Sequence, residues 1–297
     1  MAESTNPTRQ SAPVRAKVSR WVAWAAFVGG GLVTPKLAAK AATRLWQRLP
    51  SNAGRRKDNR PGPGTFEMVD VGLSHPLAVE TWGDAGPLVY LIHGWGGWRG
   101  QVASFVAPLV ERGFQVISAD ALSHGDSPAG SYGPTHSCGG EMIDCFEALV
   151  AVKGQPHGII GHSLGCANAA RAIVDGKVKA QRLVMVAASP EMRGQAIKFG
   201  HMLGFSKRTT RLMVAQMENF TQRTFQDFDI AAMAATGLLP PGLVIHDQAD
   251  KEAPYEEAVV TAEKWPNAEL MTTDGLGHHR ILIDPAVIQA AVGFIAA

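Results

Sequence analysis

The sequence predicts an α/β protein: a mostly parallel sheet of about eight strands flanked by helices, with an inserted helical cap. Three observations predict it. From residue 66 onward, short apolar runs alternate with helical segments. The later runs are largely continuous apolar stretches, as expected for strands covered by helices on both faces. One interval, at about 191–237, carries helical patterning and no strand, so it reads as a cap inserted between two strands.

The strand candidates, in order, are 66–71, 77–82, 88–92, 115–119, 158–161, 182–187, 243–246 and 270–273. Most are short and largely apolar. Helices fall between them at about 101–112, 138–152, 164–174, 255–265 and 285–296. The cap has Met and Phe at helical spacing, including Met202, Phe205, Met213, Met217 and Phe220. Such a stripe packs cap helices, and part of it is expected to line an acyl pocket.

The 297 residues, 46% apolar and 18% charged, suffice for a sizeable core. Domain boundaries are expected at 1–64 for a basic N-terminal arm and linker, and at 65–297 for the main domain. The net charge of +2 gives no reason to expect a nucleic-acid partner. Its distribution is lopsided: residues 1–60 sum to +10 and the remainder to −8. The apolar run 21–33 is too short to span a bilayer, which takes about 20 residues. Residues 36–48 read as a helix with one basic and one apolar face. Three readings of the arm stand open. Residues 15–48 contact a membrane surface, or they pack on the domain or a second subunit, or they form a cleaved export signal. Location is read as cytoplasmic, with membrane association an added expectation. Cys138, Cys145 and Cys166 have no disulfide or zinc spacing. No metal and no cofactor is expected.

The segment that carries chemistry is HGIIGHSLGCANAARA, residues 157–172. It holds a G-x-S-x-G with an apolar strand before Ser163 and an Ala-rich helix after it. A serine on so sharp a turn projects its hydroxyl above the sheet at a helix N-terminus. That hydroxyl needs a base, and the base needs an orienting acid. Downstream, Asp247 and Asp250 follow one strand, and His278 and His279 follow the last. Either residue of each pair could serve on position alone. Upstream, strand 88–92 ends in His93-Gly94-Trp95-Gly96-Gly97. A glycine-rich turn there can aim the backbone N–H of Trp95 at the same point as that of Leu164. His93, His162, His124 and Asp126 read as structural.

These segments together resemble the α/β-hydrolase-fold serine hydrolases, an esterase- and lipase-like family, over roughly residues 66–297. The resemblance rests on HGWGG, on ADALSHGDS (119–127), on GHSLG, on IHDQADKEAP and on GLGH. Ser123, Asp247 and Ala253 depart from the family pattern, where glycine, glycine and valine are usual. The resemblance implies a catalytic triad of Ser163, Asp250 and His278, with Trp95 and Leu164 N–H groups forming the oxyanion hole. It implies hydrolysis of a small-molecule acyl substrate, a carboxylic ester first. Thioesters, carbon–carbon bonds and acyl transfer are the alternatives within the fold. A ligand-binding protein that retains an idle triad is the alternative outside catalysis.

Overall fold

A computed structural model describes Gly29 and residues 33–50, 57–189 and 191–297. The polar stretch 1–20, most of the apolar run 21–33 and residues 51–56 lie outside the described residues. The chain divides into two compact units. One joins the residues up to Thr43 with Ala196–Met217, and the other joins Arg44–Gln195 with Glu218–Ala297.

The larger unit is built on an eight-stranded sheet. The strands are β1 (Thr65–Val69), β2 (Leu77–Trp82), β3 (Leu88–Ile92), β4 (Gln115–Ala119), β5 (Gly158–His162), β6 (Arg182–Val186), β7 (Gly242–Asp247) and β8 (Ala268–Thr273). Their order across the sheet is β1-β2-β4-β3-β5-β6-β7-β8. β2 is antiparallel to both β1 and β4, and all other pairings are parallel. The predicted class, strand number and mostly parallel pairing are those observed.

Alternation along the central strands sends side chains to two cores. Val89, Leu91, Ile160, Val184 and Ile245 pack on one face with Phe105, Leu109, Val292 and Ile295. Tyr90, Ile159, Leu183, Met185 and Val244 pack on the other with Met142, Phe146, Ala167 and Ala170. Burial of these side chains on both faces is the main favourable term of the fold.

β3 lies between β4 and β5, so the chain leaves β3 to one side and returns to the other. The carboxyl ends of β3 and β5 therefore flank the switch point of the sheet, where open parallel sheets bind ligands. Ile92 pairs with Gly161, which sets the turn after β3 directly beside the turn after β5.

One local difference from the sequence reading has a simple cause. The segment expected as one helix at 101–112 is a 3-10 turn, Arg99–Phe105, followed by a short α-helix, Val106–Val110. Arg99 and Gly100 are buried there, and Arg99 is committed to acids outside the helix. Helix α1 (Pro35–Trp46) begins in the smaller unit, which also takes the middle of the interval 191–237. That interval holds the helices Met192–Met202 and Lys207–Thr221, then the shorter turns Phe225–Phe228 and Ile230–Ala234. Within the smaller unit the Gln216 side-chain amide donates to the Lys36 carbonyl at 3.3 Å.

Candidate active site

Ser163 stands between β5 and the helix α2 (Leu164–Val174) with φ 52° and ψ −122°. A side chain is strained in that region, and the surrounding structure must hold it there. Two hydrogen bonds do so: Ser163 N–H donates to Val186 at 3.1 Å, and its carbonyl accepts from Cys166 at 3.0 Å. The turn closes only because its neighbours are small. A Cβ on Gly165 would lie 2.5 Å from the Ile92 carbonyl oxygen, and one on Gly94 would lie 2.8 Å from Ser163 Cβ.

The same close approach brings the β3 turn against the serine. Neither the Trp95 N–H nor the Leu164 N–H donates to an acceptor among the described residues. Two unengaged donors at the ends of adjacent strands, one of them on a helix N-terminus, favour a negative oxygen.

Asp250 and His278 meet although their loops are distant in the chain. Nδ1–H of His278 donates to Asp250 Oδ2 at 2.7 Å. The other oxygen of Asp250 accepts from Glu252 and Ala253 N–H at 2.7 and 3.0 Å. Burial opposes the charge of Asp250, but these bonds outweigh it and bring the carboxyl to about 2. The carboxylate is thus ionised, and it fixes the tautomer that leaves His278 Nε2 free to accept a proton. Ser163 Oγ forms no hydrogen bond with a described residue, His278 included.

Asp247 and His279, the competitors on position, are occupied elsewhere. Asp247 is fully buried and accepts from Ala249 N–H, Thr273 Oγ1–H and Leu276 N–H at 3.0, 2.8 and 2.9 Å. Burial raises its pKa, yet the donors from Gly277, Leu276 and Thr273 win and hold it below the usual carboxylate range. It organises the loop that presents His278. His279 is half exposed and lies 3.1 Å from Glu252.

Three buried histidines surround the site as neutral rings. His162 Nε2–H donates to the backbone carbonyl of His278 at 3.0 Å, tying the two loops together. His93 Nδ1–H donates to Gly94 and its Nε2 accepts from Ala121, at 2.8 and 3.1 Å. His124 Nδ1–H donates to Leu122 at 3.0 Å. Burial holds them at about 3, about 4 and about 3 respectively.

Sequence reasoning missed the support beneath the β3 turn. Arg99 is 4% exposed and binds Glu80 at 2.9 Å, Asp126 at 2.9 Å, and Asp120. Its backbone N–H also donates to Asp120 at 2.6 Å. This cluster pins the turn carrying Trp95 to the end of β4. Glu80 between the buried Val79 and Trp82 of β2 was the available signal. A cavity of about 30 Å³, lined among others by His93, Asp120 and Asn168, has room for one or two waters. Both polar atoms of the Asn168 side chain are buried without a partner among the described residues. Among the described residues no group of three or more His, Cys, Asp or Glu is placed to hold a metal ion.

A model of the alpha/beta hydrolase family matches residues 89–291. The chain belongs to the alpha/beta hydrolase family. No curated protein matches it. Many solved structures share the hydrolase's fold. Alpha/beta hydrolase domain-containing protein 10 from mouse is 16% identical with a TM-score of 0.59, covering 78% of this chain and 97% of its own. A thioesterase domain from the curacin biosynthetic pathway is 16% identical with a TM-score of 0.57, covering 80% of this chain and 100% of its own. Est1E from Butyrivibrio proteoclasticus, solved with ferulic acid bound, is 19% identical with a TM-score of 0.57, covering 78% and 100%. At these identities the likeness speaks for the fold.

Proposed function

We propose that this hydrolase cleaves carboxylic esters through an acyl-enzyme formed on Ser163. The observation that carries the reading is the strained Ser163 turn, set beside two unengaged backbone N–H groups at the switch point of the sheet. The His278–Asp250 pair supplies the base.

In the proposed cycle, substrate packs beside Ser163 and closes the Ser163–His278 hydrogen bond, a bond that is commonly loose before substrate arrives. His278 Nε2 takes the hydroxyl proton as Oγ bonds to the acyl carbon. The carbonyl electron pair moves to oxygen, where Trp95 and Leu164 N–H groups receive it; losing one such donor costs about 3 kcal/mol of barrier. Collapse breaks the ester C–O bond, and the imidazolium returns the proton to the departing alcohol. Water repeats the sequence on the acyl-enzyme and restores Ser163. Asp250 stays ionised throughout and stabilises the imidazolium.

The test is labelling by a fluorophosphonate together with turnover of an ester chain-length series. Ser163→Ala should lose both, with turnover down by about 10⁴-fold or more. Unchanged labelling or turnover in that variant refutes the assignment. One thioester and one diketone in the panel separate ester cleavage from the other acyl chemistries of the fold. A ligand that raises Tm while no substrate turns over would favour a binding protein instead.

A further inference from the structure

The smaller compact unit holds six cations among its described residues, Lys36, Lys40, Lys198, Lys207, Arg208 and Arg211, and no acid. All six are exposed, and none pairs with an acid among the described residues. Helical spacing groups them. On α1, Lys36, Lys40 and Arg44 form one stripe, and Leu37, Ala41 and Leu45 form the adjoining one, all exposed. The opposite face of α1, with Ala38, Ala39, Ala42 and Thr43, is buried. On the two cap helices, Ile197, Lys198 and Met202 share one exposed face, and Arg208 and Arg211 another. The apolar side chains among these cations are large and open: Val33 is 82% exposed, Leu37 65% and Met202 68%. Unpaired cations interleaved with exposed aliphatic side chains suit a surface that is anionic outside and apolar just beneath. Among the described residues no single helix is long and apolar enough to cross a membrane.

We propose that this unit docks the hydrolase on anionic lipid bilayers. Helix α1 and the middle of the cap supply the contact together. Lysine and arginine meet the headgroups, while Leu37 and Met202 enter the boundary below. The cap thereby acts as a membrane-reading surface, whichever bond the site cleaves.

The test is sedimentation of the full chain with vesicles of phosphatidylglycerol in phosphatidylcholine, against phosphatidylcholine alone, at low and high salt. Binding should need the anionic lipid and fall steeply with salt. K198E/K207E/R208E/R211E, made in the full chain, should weaken partitioning by more than about tenfold, given the several-fold share that each basic residue near a charged surface contributes. Met202→Ser should weaken binding at constant charge. Turnover of a short soluble ester and Tm should be unchanged in both variants, which keeps a folding defect or an inactive site apart from lost docking. Equal binding by the charge-reversed chain overturns the proposal, because the remaining basic arm then suffices. Equal recovery with neutral vesicles, or salt-insensitive binding, also overturns it.

Discussion

The three buried histidines near Ser163 make the fold less tolerant of acid. In the unfolded chain each titrates near its ordinary value of 6.5; in the folded protein burial holds His162, His93 and His124 at about 3, 4 and 3. Between those values the unfolded state binds more protons, so the contribution of these rings to stability is full above pH 6.5 and is lost as pH falls. On going from about pH 7 to about pH 5, each unfolded ring gains about 2 kcal/mol of protonation free energy that its folded counterpart does not. Three such rings sum to about 6 kcal/mol, a large part of a typical stability of about 5–15 kcal/mol. Burial pushes the carboxyls of Asp120 and Glu147 up, so protons taken up there act in the opposite direction. Comparison with a variant cancels that contribution. Urea unfolding of wild type and His162→Gln at about pH 7 and pH 5 is the assay. The wild-type loss should exceed the variant's by about 2 kcal/mol. Parallel losses in the two proteins would refute a neutral, buried His162.

Four further outcomes follow from the site's geometry. Asp250→Asn should cut kcat by about 10⁴-fold through the wrong histidine tautomer, whereas Asp247→Asn should cost about 1–3 kcal/mol in urea unfolding and little activity per folded molecule. Gly94→Ala forces a methyl to within 2.8 Å of Ser163 Cβ and should lower kcat by about 100-fold, read with a short ester. Arg99→Met takes the guanidinium from the buried carboxylate of Asp120, while Glu80 keeps Arg60 at 2.9 Å, and should destabilise by about 3–5 kcal/mol in chemical denaturation. Asp120→Asn, added to Arg99→Met, should recover part of that loss.

Much of the sheet was legible because β3, β5, β6 and β7 are short, largely apolar runs buried at nearly every position, as strands covered on both faces must be. The Ser163 turn was legible because its flanking glycines are contiguous in the chain. Asp250 and His278 could be ranked over Asp247 and His279 only through family resemblance, since both pairs sit at strand ends. What separates them is which donors reach each carboxylate, and those come from Thr273, Leu276 and His278, remote in sequence. The Glu80–Arg99–Asp120 cluster was hidden for the same reason: its members lie on three different elements. The grouping of α1 with the middle of the cap was equally hidden. An amphipathic helix announces that one face needs cover but not what will cover it.

The loop that presents His278 is moored on three sides: by Asp247 at Leu276, by His162 at the His278 carbonyl, and by Asp250 at the ring. Two of those anchors stand on the neighbouring segment 247–250 and one directly precedes the serine. Most of the loop's wandering is therefore surrendered during folding, once, and need not be surrendered again at each encounter with a reactant. Insertions tolerated elsewhere on the surface would, between residues 274 and 278, slacken all three tethers together.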